Sequence, residues 1–523
     1  MELPRASGLL LHPTSLPGRH GIGDLGDEAH AFVDFLARTG QTWWQMLPLG
    51  PVGYGGSPYQ SPSSFAGNPL LISLDRLAAS GWIDARELSR MPDLPVDRVD
   101  FEAVAALKWE WLRHAFRSFA TNGGDPGFES FRRSQKDWLD DYVLFQALRD
   151  AHDGRPWYEW EPDIRSRRPD ALNRWRDWVA EGVRFHEFVQ YAFDLQWREL
   201  RETCKERGIR LIGDIPIFVA HDSADVWAHP DLYFLDTEGW PVVMAGVPPD
   251  FFSEDGQLWG NPLYRWDAHA KDGYAWWMLR IRALLDRVDV IRIDHFRGFE
   301  SFWAIPAGSK TAATGEWVQA PGHDLFRAIR KGLGSVPLIA EDLGLITPEV
   351  ETLRDAYDMP GMRILQFAFD ADPAMEKYLP HRFINNCIAY TGTHDNDTTY
   401  GWFHSNEMTT TQPREEVEAA RRFVRAYANS DGCEIHWDLI RLLFASVADT
   451  AIVPMQDILG LDSRARMNFP GRAHGNWSWR FRGQELDRRV ERRLAEMTAL
   501  YGRWNGPIPA DHDPRPRPPA AAG

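Results

Sequence analysis

An α/β chain built on a closed (β/α)8 barrel is what this sequence predicts. Three observations predict it. Eight short apolar runs, each ending in polar or charged residues, are spread along the chain. Several are apolar almost without interruption, the pattern of strands buried on both faces and so of a parallel sheet covered by helices. Helical patterns lie between several of the runs.

The runs come in this order. Residues 7–13, Ser-Gly-Leu-Leu-Leu-His-Pro, end at His12, and residues 42–48 carry Gln45. Residues 209–216 end near Asp214, and residues 288–294, Val-Asp-Val-Ile-Arg-Ile-Asp, end at Asp294. Residues 336–342 end at Glu341, 361–370 at Asp370, 386–395 at His394 and Asp395, and 451–457 at Asp457. In a (β/α)8 barrel the C-terminal strand ends build the active site. Any one of these acids alone could be a structural ion pair; a crown of them favours catalysis.

The spacing is uneven. About 160 residues separate the second run from the third, and about 70 the third from the fourth, where a βα unit needs only ~30. Inserted subdomains are therefore expected after strands 2 and 3, at about 55–200 and 220–280, within one catalytic domain spanning 1–505. The first insertion opens on the turn-rich Gly53-Tyr54-Gly55-Gly56-Ser57-Pro58-Tyr59 and continues through a helix from Phe101 to Phe119 and the Trp-rich 157–160 and 175–197 regions. The second holds Pro248-Pro249-Asp250-Phe251-Phe252 and Gly256-Gln257-Leu258-Trp259-Gly260-Asn261-Pro262, read as a shaped loop rather than a helix. Leu486, Val490, Leu494 and Met497 make one face of a last helix. The Pro-rich tail, 506–523, is expected to be disordered.

Composition narrows the function classes. The 523 residues carry a net charge of −17 and no basic run, which argues against nucleic-acid binding. Three widely spaced cysteines, without Cys-x-x-Cys, point away from a zinc ribbon or dithiol motif and toward a reducing cytoplasm. No signal peptide and no apolar run of membrane-spanning length is visible, so the sequons at Asn396 and Asn476 carry no weight. The 24 tryptophans are the unusual number. Beyond filling a core, such rings suit stacking on the apolar face of a sugar. Gly21-Ile22-Gly23-Asp24-Leu25-Gly26 matches a dinucleotide fingerprint, but the preceding run ends too early and a proline-rich loop intervenes. No Walker lysine or serine-hydrolase elbow occurs.

Arg292 and Asp294 alternate onto the same side of one strand, where the guanidinium is expected to lower the carboxylate's pKa and keep it ionised. Asp294 and Glu341, on neighbouring strands, suit glycoside chemistry: one carboxylate attacks the anomeric carbon while the other protonates the leaving oxygen. Asp395 is a third acid able to hold hydroxyls and to keep Glu341 protonated. His394 and Asp214 are further hydroxyl ligands.

These residues also carry a family resemblance. Asp214-Ile215-Pro216, Arg292-Ile293-Asp294-His295, Ala340-Glu341-Asp342 and Thr393-His394-Asp395-Asn396 resemble, in order, four signature regions of the α-amylase clan. Ser57-Pro58-Tyr59, Val247-Pro248-Pro249-Asp250, the 256–262 segment and Arg466-Met467-Asn468-Phe469-Pro470-Gly471 are similar to the 4-α-glucanotransferases, or amylomaltases, of glycoside hydrolase family 77. The resemblance implies a retaining double displacement with no cofactor and no metal. It implies Asp294 as nucleophile, Glu341 as general acid/base and Asp395 as transition-state stabiliser. Tyr59 would stack on donor glucose, Trp259 would be the acceptor-side aromatic, and Ser57, Asp214, Arg292, His394, Asp370 and Asn468 would complete the sugar-binding set. The implied partners are α-1,4-glucans such as maltooligosaccharides and amylose, with no nucleic acid and no membrane, and a monomer is expected. An α-amylase-type hydrolase and a non-catalytic α-glucan-binding barrel are the competing readings.

Overall fold

The computed structural model describes residues 3–249, 255–370, 372–405, 414–472, 474–510 and 512–513. Eight strands form one parallel sheet: β1 (Ala6–Leu10), β2 (Trp43–Gln45), β3 (Arg210–Pro216), β4 (Val290–Asp294), β5 (Leu338–Ala340), β6 (Gly361–Ile364), β7 (Cys387–Tyr390) and β8 (Thr450–Pro454). All eight predicted runs are strands. Their order is β6-β7-β8-β1-β2-β3-β4-β5. Across the remaining seam Ala340 N donates to Pro360 O at 3.0 Å, which brings β5 beside β6 and completes the ring.

The strands read as apolar runs because helices cover one face and the barrel interior the other. β1, β7 and β8 are buried along their whole length. Gly8 lets β1 approach β2, because a Cβ there would lie 2.3 Å from Trp43 O. At the N-terminal end of β1 and β8 the buried Arg503 donates to Ala6 O, Phe444 O and Ala448 O at 2.8, 2.9 and 3.1 Å.

The connection from β2 to β3 holds a helical subdomain, with helices Phe101–Thr121, Lys136–Ala151 and Ala180–Glu206 as its longest members. Asp100 caps the first by accepting from Ala103 N at 3.1 Å. The third leads into β3 and buries Phe185, Phe188, Phe193 and Trp197. After β3 the reading of 256–262 as an irregular loop needs correcting. Gln257–Pro262 is a strand, paired antiparallel with Val243–Val247 around a register shift between Met244 and Gly246. The connection after β4 adds Ser301–Pro306 and Glu316–Gln319, making a four-stranded sheet beside the barrel mouth. The partner of Gln257–Pro262 is the preceding strand Val243–Val247, which is itself paired on its other side with Ser301–Pro306, a pairing that the local proline and glycine content does not announce.

The last helix, Arg488–Leu500, buries Leu494 and starts after the cap Asp487. The Asp250-Phe251-Phe252 segment and most of the Pro-rich tail lie outside the described residues. Among those described, no helix is long and apolar enough to cross a membrane.

Candidate active site

Strand register assembles the acids. In the β3–β4 pair Asp214 faces Arg292 and Pro216 faces Asp294. In the β4–β5 pair Ile293 faces Ala340, so Asp294 and Glu341 follow at the same level. Side chains alternate along a strand, so Arg292 and Asp294 share a side. Arg292 Nη1 lies 3.0 Å from Asp294 Oδ1 and 2.7 Å from Asp214 Oδ2. One guanidinium thus serves two carboxylates.

That sharing changes the electrostatics expected from the sequence. Burial pushes the Asp294 pKa up to about 6, although Arg292 opposes it. Arg292 does pull it down, as expected, but burial outweighs that pull and the net shift is upward. Burial pushes Glu341 further, to about 8, with Arg292 pulling down and Asp294 adding to the rise. The two titrate as an interacting pair, and the separation leaves one ionised and the other protonated near neutral pH.

Glu341 is held by two backbone donors, His295 N at 2.7 Å to Oε2 and Leu343 N at 3.0 Å to Oε1. His295 reaches it from a left-handed conformation, φ 54°, which is uncommon for a residue with a side chain. Its ring meets the edge of Trp259, centroids 4.9 Å apart at 87°. Trp259 therefore covers the residue that follows Asp294.

Asp395 is fixed from the loop after β8. Asn468 Nδ2 donates to its Oδ1 at 2.6 Å, Arg466 Nη2 donates to its backbone O at 2.6 Å, and His394 Nε2 lies 3.4 Å from Oδ1. Tyr59 stacks on His394, centroids 5.1 Å apart at 18°, and its hydroxyl donates to Asp214 Oδ2 at 2.8 Å. Ser57 Oγ accepts from Tyr59 N at 3.3 Å and shapes that turn.

Asp214 sits at the site without reaching the cleft. Its side chain has no exposed area, and both oxygens are taken by Arg292 and Tyr59. Asp370 closes the 310 turn Leu365–Phe369 and accepts from Asp372 N at 3.0 Å, a contact of the turn itself.

Two participants went unnoticed in the sequence. Trp477 packs 5.7 Å from Tyr59 and 5.9 Å from His394; it is the middle residue of a sequon set aside as uninformative. Arg466 was visible only as the first letter of its motif. His12, at a strand end, is buried beside this group with both ring nitrogens unpartnered within the protein. Burial lowers its pKa to about 3, helped by His394, so its ring is neutral.

A family model described as 4-alpha-glucanotransferase, glycoside hydrolase family 77, matches residues 11–486. The 4-alpha-glucanotransferase of Thermus thermophilus is 50% identical over 503 residues, covering 95% of this chain and 99% of that one. That of Synechocystis is 49% identical over 505 residues, covering 95% and 98%. Among solved structures, an amylomaltase from Streptococcus agalactiae in complex with acarbose superposes with a TM-score of 0.91 at 39% identity, covering 96% of this chain and all of that one. A barrel with acids ending adjacent strands, matched along its length by these relatives, belongs to the 4-α-glucanotransferase family of enzymes.

Proposed function

We propose that the chain moves α-1,4-glucan segments from one maltooligosaccharide or starch chain to another, or to glucose, by a retaining double displacement. Asp294 attacks the anomeric carbon, and Glu341 protonates the departing oxygen. The glycosyl-enzyme on Asp294 is then opened by an acceptor hydroxyl, which Glu341 deprotonates. Asp395 stabilises the positive charge that develops on the sugar. The observation that carries this reading is geometric: Asp294 lies 3.0 Å from the Arg292 guanidinium, and Glu341, at the end of the adjacent strand, is held by the His295 and Leu343 backbone N–H groups.

As the family resemblance implies, Tyr59, Ser57, Arg292, His394 and Asn468 serve the donor side and Trp259 the acceptor side; Asp214 supports Arg292 and Tyr59 from behind. Asp370, at the end of the Leu365–Phe369 turn, is a further sugar ligand. The enzyme acts as a monomer, and the free cysteines, Cys204, Cys387 and Cys433, fit the reducing cytoplasm.

Transfer must outrun hydrolysis, and each tenfold of partition needs ~1.4 kcal/mol. Trp259 over His295 supplies part of the water exclusion. Incubation with maltotriose tests the reading. Glucose and longer chains should form with almost no new reducing ends. Steadily rising reducing ends would instead identify a hydrolase, and absence of any product a binding protein.

A further inference from the structure

Next to the four-stranded sheet, just ahead of its strand Val243–Val247, lies an aromatic pile that none of these roles uses. Four rings are layered from the interior outward. Trp157 is 2% exposed and meets His221 edge-on at 5.6 Å. His221 lies parallel to Tyr158, centroids 4.3 Å apart at 1°. Tyr158, half-buried, meets Trp240 at 4.4 Å. Trp240 ends the pile and is 44% exposed.

The turn that presents Trp240 is tightly tied. Asp236 Oδ1 accepts from Glu238 N at 2.8 Å and from Trp240 N at 2.9 Å, and Asp236 N donates to Trp240 O at 2.8 Å. His221 Nε2 is 2.7 Å from Gly239 O. Gly239 has φ 89°, and a Cβ there would lie 2.6 Å from the Trp157 ring. Only glycine lets the turn settle on the pile. An indole held in water this rigidly is already arranged for binding and loses little freedom on meeting a ligand.

The pile is tied to the strand that bears Trp259. His221 follows Val219 by two residues. Val219 O accepts from Asn261 Nδ2 at 2.7 Å, and Asn261 follows Trp259 by two. Trp240 leads into the strand Val243–Val247, which pairs with the strand bearing Trp259. Gly246 pairs with Leu258, the residue before Trp259, so at ~3.3 Å per residue the six steps from Trp240 to Gly246 span at most ~20 Å.

We propose that Trp240, backed by Tyr158 and His221, is a remote binding ledge for α-1,4-glucan chains, gripping glucose units that extend beyond the catalytic cleft. The inference rests on the α-glucan reading above. The apolar face of a glucose ring lies on the indole, and its hydroxyls reach Glu159 and Glu238, the exposed acids that flank Tyr158 and Trp240 in the chain.

The test compares kcat/KM on maltotriose, which the cleft holds alone, with kcat/KM on amylose. Trp240→Ala should lose about 3- to 10-fold on amylose, through KM, and stay within about twofold on maltotriose; Trp240→Phe should keep most of the amylose rate. Equal loss on both substrates would make the pile purely structural, and no loss on amylose would remove the ledge. Should Trp240→Ala fail to fold, Trp240→Leu, which keeps Tyr158 covered, takes its place. Amylose binding to Asp294→Asn chains with and without Trp240→Ala gives a readout independent of turnover. A parent chain inactive on maltotriose would overturn the transferase reading and still leave that comparison to decide the ledge.

Discussion

The backbone N–H of His295 points at the carboxyl of Glu341, 2.7 Å from Oε2. The residue after the proposed nucleophile thus orients the proposed acid. Its left-handed backbone turns the chain at the end of β4 so that the N–H faces the neighbouring strand. The positions of the two proposed catalytic carboxyls are mechanically linked through that single turn.

The first prediction concerns pH. The proposed mechanism needs Asp294 ionised and Glu341 protonated. Asp294 sheds its proton as pH rises through about 6, so kcat/KM climbs there. Glu341 sheds its proton through about 8, so kcat/KM falls there. A bell with those limbs is expected. Glu341→Gln should cost about 10²- to 10⁴-fold and flatten the alkaline limb. A rate still climbing above pH 9 would refute the assignment of the acid.

Arg292 supports the second. Replacing it by Met strands Asp214, which has no exposed area, and breaking one side of a buried pair costs ~3–5 kcal/mol. Denaturant unfolding should show that loss, and Asp214→Asn in the same chain should recover part of it. Because Arg292 pulls the Asp294 pKa down, its removal should move the acid limb of any residual activity to higher pH. A limb that stays put would mean that Arg292 does not act on Asp294.

The third concerns Asn468, whose amide holds Asp395 Oδ1 at 2.6 Å. A hydrogen bond to a charged group is worth ~1.5–3 kcal/mol, so Asn468→Ala should lower kcat by roughly 10- to 100-fold. If Asp395 works mainly in the transition state, KM for maltotriose should change little. A variant altered in KM alone would place Asn468 in ground-state binding only.

How much of this could be read from the residues differs by feature. β4 was legible because a strand buried on both faces writes its burial as an unbroken apolar run. Asp294, Glu341 and Asp395 were legible because barrel chemistry sits where such runs stop. Arg292 was assigned one partner, Asp294, since that pairing is local; Asp214 is 78 residues away and faces it only through the β3–β4 register. Separation in sequence likewise hid Trp477 from Tyr59 and Arg466, 71 residues on, from Asp395. The upward shift of Asp294 follows from enclosure by the whole barrel mouth, which no single motif encodes.

The join between β1 and β8 has a consequence in time. Ala6 pairs with Thr450, and Arg503, later still, ties the carbonyls at their base. During synthesis the first strand leaves the ribosome long before its outer neighbour exists, with one edge unpaired and open to wrong partners. The ring cannot shut until nearly the entire polypeptide has emerged, so its completion is an inherently slow, late event. Premature termination before residue 450 would leave an open sheet for quality control to remove.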